Sequence, residues 1–228
     1  ETPIGTSNEW QFAYQVDGPV PINFTKVADV TVTQPTAAAW GPDQRLYVVG
    51  RNGRLHAITF GDDYSVQTLD TYPGVSSLSN NEAMGLAFSP FDGMSRVKVY
   101  VAHTEMYAQG GLAFTGPSPY PGGVSLLQGP NFDTPIPIVT QLPTSNHDHG
   151  INGMLFDNSG DLLIAVGGNT NGGVKHPQIG DLHESPLTGA IVRAELTRPD
   201  FSGALSYVET DSGLPNDDQV FGDIVDLA

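Results

Sequence analysis

The chain has 228 residues, of which 25 are acidic and only 9 are lysine or arginine, so its formal net charge is −16. A surface this acidic repels nucleic acid and anionic lipid, and no apolar run reaches the length of a membrane span, which argues against nucleic-acid-binding and membrane-embedded proteins. The absence of cysteine excludes disulfides, thiolate metal sites and cysteine nucleophiles.

The composition also indicates the fold class. The 27 glycines and 18 prolines are too many for long helices, and short apolar runs bounded by Gly, Pro, Asn and Asp recur along the chain. We therefore predict an all-β protein, with residues 1–21 as a lead-in strand or linker and residues 22–228 as one β domain. Asn23 begins a glycosylation sequon, which together with the acidic, lysine-poor composition predicts an extracellular or cell-surface glycoprotein.

Strands are predicted first at residues 27–32, 45–49 and 55–60, joined by turns as an antiparallel meander. The same order of small and apolar residues, an aromatic residue, a turn and an aliphatic strand returns at 84–104 and again at 153–166. A recurring antiparallel unit of roughly 40–50 residues is typical of a β-propeller. Residues 110–143 are interpreted as a surface excursion around a strand at 124–127, and the last strands are predicted at 188–196 and 220–228.

A cluster of polar residues surrounds the third repeat. Two apolar runs, 154–156 and 162–166, flank a turn and predict a β-hairpin. Since a hairpin brings its two ends together, His149 and the region of Gly168 should face one another at one rim of a sheet. The turn at 157–161 resembles the start of a calcium loop but lacks the distal glutamate, so we interpret it as a plain hairpin turn.

Four further residues near this rim are candidates for a binding loop: His147, Asp148, Asn169 and Asn171. The order His147, Asp148, His149 suggests a metal, but two imidazoles and one carboxylate on adjacent positions rarely reach a single ion, and no metal site is predicted. Asn169 and Asn171 belong to a Gly/Asn-rich loop that could bind an anion or a glycan through its backbone amides or could be plain loop.

Four stretches of the sequence resemble a known family when taken in order: residues 35–48, 81–90, 149–168 and 187–193. The family is the glucose/sorbosone dehydrogenase-like six-bladed propellers, which includes soluble quinoprotein sugar dehydrogenases and the propeller of hedgehog-interacting proteins. The resemblance implies a β-propeller of four-stranded antiparallel blades. This chain would supply roughly half of a six-bladed ring, with the remaining blades beyond residue 228 as its partners.

The resemblance also implies a role for His149, which lies seven residues before Phe156 as the family's loop histidine does. In quinoprotein members that histidine is the general base that takes the sugar hydroxyl proton while hydride passes to pyrroloquinoline quinone (PQQ). Enzymatic members carry an acidic residue where this chain has Gly168 and an arginine where it has Gly153. Their cofactor-contacting arginine and calcium ligands lie beyond the position of residue 228. We therefore expect no cofactor to be bound by residues 1–228, and we expect PQQ and calcium in the protein only if it is enzymatic.

His149 therefore has three interpretations: a general base, a binding residue on a solvent-facing loop, or a structural hydrogen-bonding residue. The favoured function is an extracellular module without full catalytic machinery, which binds glycan or protein or supports assembly within a larger protein. One alternative is a PQQ- and calcium-dependent dehydrogenase of an aldose or related alcohol. Others are protein recognition through the loops 110–123 and 168–186, and a structural propeller of an extracellular filament such as an algal mastigoneme.

Overall fold

The protein is seen in a computed structural model that describes residues 28–78, 81–93, 95–105, 122–143, 149–170 and 187–201, with Val174, Glu184 and three short strands outside these ranges. The two strands near the N-terminus, β1 (Thr2–Pro3) and β2 (Phe12–Ala13), pair antiparallel. No helix in the described part of the chain is long and apolar enough to cross a membrane.

Three four-stranded sheets follow one another along the chain, each with its strands in sequence order. The first contains β3 (Pro35–Trp40), β4 (Leu46–Gly50), β5 (Leu55–Phe60) and β6 (Val66–Tyr72). The second contains β7 (Asn81–Ala87), β8 (Lys98–Glu105), β9 (Gly122–Gln128) and β10 (Ile136–Leu142). The third contains β11 (Ile151–Phe156), β12 (Leu162–Val166), β13 (Ala190–Ala194) and β14 (Ile224–Leu227).

The first strands of consecutive sheets are neighbours, as they are around the axis of a propeller. Thr36 on β3 donates its hydroxyl to the Ala83 carbonyl on β7 at 2.8 Å. Gly85 on β7 lies so close to β11 that a Cβ atom there would be 2.0 Å from the Asn152 carbonyl oxygen, which only glycine permits. The sheets are therefore successive blades, and the predicted fold class, a partial β-propeller, is confirmed.

Aromatic rings fill the space between neighbouring sheets at equivalent positions. Phe88, just after β7, packs edge-on against Tyr47 with ring centroids 5.2 Å apart, and Phe156, at the end of β11, packs against Tyr100 at 4.9 Å. These two phenylalanines therefore pack between neighbouring blades. Trp40, at the same place in the first sheet, is 57% exposed, because it lies on the face turned away from the second sheet.

Several strands differ from the sequence prediction. The predicted strand at 27–32 is wrong, since residues 28–32 are not in a strand. The outer strands β6 and β10 were not predicted: β6 exposes most of its residues, so its sequence lacks an apolar period, and β10 contains Pro137, which an outer strand tolerates. The excursion predicted at 110–143 thus contains two blade strands, and β14 pairs parallel to β13 where antiparallel pairing was expected.

Candidate functional site

The loops around the β11–β12 hairpin meet at the edge of the third sheet where β11 begins. The Gly167 amide donates to the Gly150 carbonyl at 3.1 Å, and the Gly189 amide donates to the Gly167 carbonyl at 3.2 Å. The Ile151 amide donates to the buried Thr104 hydroxyl of the second sheet at 3.0 Å. Backbone hydrogen bonds thus fix the three segments that surround His149.

His149 is half-buried, and its Nδ1 lies 3.0 Å from the carbonyl oxygen of Gly168. A carbonyl oxygen can only accept, so Nδ1 is the nitrogen that carries the proton in this arrangement. In the neutral ring the acceptor lone pair then belongs to Nε2. The Gly168 carbonyl therefore sets both the orientation and the tautomer of the imidazole.

Glu184 is a residue of this candidate site that the sequence analysis missed. Its carboxylate accepts the backbone amides of Asn169 and Thr170, each at 2.8 Å, and the hydroxyls of Thr170 and Thr188. All three donor residues are buried. Glu184 thus ties the segment that follows β12 to the segment that precedes β13, and so holds in place the peptide that carries the Gly168 carbonyl.

The two glycines after β12 are required by this packing. A Cβ atom on Gly167 would lie 2.9 Å from the His149 Cβ, and one on Gly168 would lie 2.9 Å from a carboxylate oxygen of Glu184. An acidic side chain at position 168, where the resemblance implies one in enzymatic members of the family, would therefore require Glu184 to move. The space beside the Gly168 Cα is occupied by the carboxylate of Glu184.

Position 168 carries no acid, and the backbone carbonyl of Gly168 controls the tautomer of the histidine instead. A carbonyl is neutral, however, and stabilises a protonated imidazole less than a carboxylate does. His149 is therefore oriented with its Nδ1 on the backbone carbonyl of Gly168.

The sequence matches no protein-family model and no curated protein. Solved structures do match. The PQQ-bound aldose sugar dehydrogenase from Streptomyces coelicolor aligns with a TM-score of 0.53 at 19% identity, covering 78% of this chain and 51% of that one. A glucose dehydrogenase from Thermus thermophilus gives 0.46 at 23% identity (71% and 43% covered), and the Dos1 propeller gives 0.40 at 15% (58% and 31%).

The chain has the fold of a sugar-dehydrogenase propeller. The predicted resemblance is thus confirmed at the level of the fold, and the chain spans about half the length of the Streptomyces structure. A sequence identity of 19% shows that the two proteins share a fold, but not that they share a function.

The other residues predicted to bind a ligand or carry a glycan are either buried or outside the described part of the chain. Asn169 is only 4% exposed, so little of its side chain is open to a ligand. His147, Asp148, Asn171 and the sequon at Asn23 lie outside the described residues, as do most of the loops 110–123 and 168–186.

The turn at 157–161 has the geometry of a plain hairpin turn. Asp157 accepts the Ser159 amide at 2.8 Å and the Asp161 amide at 3.0 Å, and these hydrogen bonds lower the pKa of its carboxyl. Gly160 adopts a φ of 93°, as such turns require. Within the described ranges, no group of three or more His, Asp or Glu residues could hold a metal ion.

Proposed function

We propose that this propeller is a non-catalytic, glycan-binding module of a larger extracellular or surface protein, in which His149 accepts a hydrogen bond from a ligand hydroxyl. The observation that carries the proposal is the hydrogen bond from His149 Nδ1 to the Gly168 carbonyl. It directs the acceptor capacity of the ring to Nε2, and sugar hydroxyls are donors that suit such an acceptor.

Binding is favoured over proton abstraction because of where the nearby negative charge lies. A general base becomes positively charged during the reaction and gains from a carboxylate on its other nitrogen. Here that nitrogen bonds a neutral carbonyl, while the Glu184 carboxylate accepts from amides and hydroxyls of the surrounding loops. The extracellular setting is supported by the net charge of −16, and further blades are supported by the 51% coverage of the Streptomyces structure.

The test uses the intact protein and two variants at one position. His149→Ala removes the acceptor, whereas His149→Gln keeps a carbonyl that can accept. In titrations with neutral oligosaccharides selected on a glycan array, we expect His149→Ala to weaken binding by roughly tenfold, the equivalent of one hydrogen bond, and His149→Gln to weaken it less. Binding that is unchanged in His149→Ala would remove the basis of the proposal.

The second candidate is a quinoprotein dehydrogenase of an aldose or related alcohol. It is favoured by the same tautomer, since an unprotonated Nε2 is the nitrogen that a general base needs. The described residues do not form a site for PQQ and calcium: they include no cluster of three metal-ligating side chains, and the family's cofactor-contacting arginine is expected beyond residue 228.

One measurement separates the two candidates. The intact protein, reconstituted with PQQ and calcium, is supplied with aldoses and an artificial electron acceptor. If the protein is a binding module, the electron acceptor is not reduced. If it is a dehydrogenase, the acceptor is reduced when a sugar is present, and the His149→Ala variant loses this activity.

A further inference from the structure

A cleft of about 460 Å³ lies between the first and second sheets, away from His149. It is lined by the turn after β3, the segment before β8 and the turn after β9. These connections belong to the edge at which the first strands of the blades end, whereas His149 lies at the edge where β11 begins. The volume is within the range of small-molecule sites, and the cleft is separate from the proposed glycan site.

Arg96 provides a fixed cationic group at this cleft. Its Nε donates to the Gly129 carbonyl at 2.6 Å, which orients the guanidinium. Its two terminal amino groups make no hydrogen bond or ion pair with any described residue, although the chain has 25 acidic side chains. A guanidinium held by Nε with its two amino groups available is suited to bidentate binding of a carboxylate.

Arg45 is the second arginine that lines the cleft, and its guanidinium is already engaged within the protein. It donates to the Ala57 carbonyl at 3.0 Å and to the Tyr72 hydroxyl at 3.4 Å, and it pairs with Asp70. Its Nε is buried, so a molecule in the cleft does not reach that atom. Arg96 is therefore the arginine of the cleft that a ligand can pair with.

The other walls of the cleft combine aromatic and hydroxyl groups. The rings of Tyr72 and Phe132 pack edge-on with centroids 4.9 Å apart. Phe132 adopts a φ of 48°, unusual for a residue other than glycine, and its carbonyl accepts the Gly74 amide at 2.9 Å. Asp43 and Ser95 are exposed and add an acceptor and a hydroxyl. Phe132 is only 3% exposed, so the half-buried ring of Tyr72, with Phe132 packed behind it, is the aromatic surface that a sugar ring can contact.

We propose that this cleft binds a sugar acid of the hexuronate class, with its carboxylate on Arg96 and its ring against Tyr72. The two terminal amino groups of Arg96 are donors, so a ligand that brings an acceptor satisfies them, and a carboxylate is the strongest acceptor that a sugar carries. A neutral hexose leaves the amino groups of Arg96 without a charged partner. Acetate satisfies them but does not reach the aromatic wall.

Calorimetric titration of the intact protein at low salt tests the proposal, with glucuronate, glucose and acetate as the three probes. We expect glucuronate to bind at least tenfold more tightly than either of the others. A galacturonate tetrasaccharide is then compared with the free sugar acid. Tighter binding of the tetrasaccharide would identify the ligand as the end of an acidic polysaccharide, and equal binding would identify it as the free sugar acid. Equal affinities for acetate and glucuronate would overturn the sugar-acid assignment.

Two variants and a matched control assign the binding to the cleft. Arg96→Ala should weaken glucuronate binding by about tenfold to a hundredfold, the usual contribution of a hydrogen-bonded charged group. Ser95→Trp keeps the charge and blocks the cleft, and should also abolish binding. Arg54→Ala removes the same charge from an exposed arginine on the β4–β5 turn and should change the affinity by less than twofold. Undiminished binding in Arg96→Ala or Ser95→Trp would refute the site.

Discussion

The orientation of His149 depends on a residue that is distant from it in sequence. Glu184 lies 15 positions beyond Asn169, yet it accepts the amides that follow Gly168 and so fixes the carbonyl that binds the imidazole. The chain therefore builds a histidine site with a carboxylate that acts through the backbone. The resemblance to quinoprotein dehydrogenases would place an acid at position 168 itself, where this chain has glycine.

Glu184→Gln tests this indirect role. The amide nitrogen of glutamine would face donors, namely the amides of Asn169 and Thr170, so we expect a loss of about 1–3 kcal/mol in the free energy of unfolding. The Gly168 carbonyl should also become less fixed, so the imidazole should change from one tautomer to a mixture. Nitrogen chemical shifts of the His149 ring measure this directly.

The matched control is Glu195→Gln, because the Glu195 carboxylate pairs with Arg193 and Arg198 near the surface. It should cost less than about 1 kcal/mol and leave the ring shifts of His149 unchanged. If Glu184→Gln also left those shifts unchanged, Glu184 would be a loop-stabilising residue only.

A second histidine links stability to pH. His103 Nε2 lies 2.8 Å from the Ser125 hydroxyl, and burial lowers the pKa of His103 to about 4 from its usual 6.5. Between these values the unfolded chain binds a proton that the folded chain excludes. The stabilisation is therefore complete above pH 6.5 and is lost as the pH falls towards 4, with about 2 kcal/mol lost by pH 5.

Urea unfolding of the intact protein at pH 7.5 and pH 5 measures this loss. His103→Asn removes the titrating group, so its stability should change less between the two values than that of the unmodified protein. An equal change in both proteins would assign the pH dependence to carboxylates instead.

At the scale of single strands, the aromatic residue that ends the first strand of a blade connects it to the preceding blade. Phe88 contacts Tyr47, and Phe156 contacts Tyr100, in the same edge-on manner. In each pair the tyrosine belongs to the second strand of the preceding sheet, so the contact repeats with the blade. The repetition explains why short aromatic motifs recur in a sequence whose blades differ in length.

A double-mutant cycle on Phe156→Leu and Tyr100→Leu measures this contact. We expect each single variant to destabilise the protein and the pair to show a coupling energy of about 0.5–1.5 kcal/mol, as edge-on aromatic pairs do. The four unfolding free energies provide their own control. Additive effects would mean that the rings contribute only through buried area.

The limits of the sequence prediction follow from the same strands. Buried strands such as β5 were predicted because apolar side chains face both neighbouring layers, whereas β6 is exposed along most of its length and its sequence has no such signal. The hairpin predicted that His149 and Gly168 lie together. The position of Glu184 could not be predicted, because its loop has no periodic pattern of apolar residues that would show how it folds. The sequence offers only the polar pair of Glu184 and Thr188 as a hint of a hydrogen-bonded loop.

At the scale of the whole molecule, both outer blades present apolar faces. On the third sheet, Leu155 is 66% and Ile191 is 46% exposed, and their register places them on the face turned away from the second sheet. On the first sheet, Trp40 and Leu69 are 57% and 41% exposed. In a propeller such faces are covered by the adjacent blades.

We therefore predict that residues 1–228, expressed alone, self-associate through these faces. Leu155→Glu combined with Ile191→Lys places charges on the third sheet, and should lower the light scattering of the fragment at a fixed concentration. Tyr64→Ser replaces a ring that is 61% exposed on the β5–β6 turn, outside both faces, and should leave the scattering unchanged. A monomeric fragment that melts cooperatively, without these substitutions, would show that three blades form a stable unit by themselves.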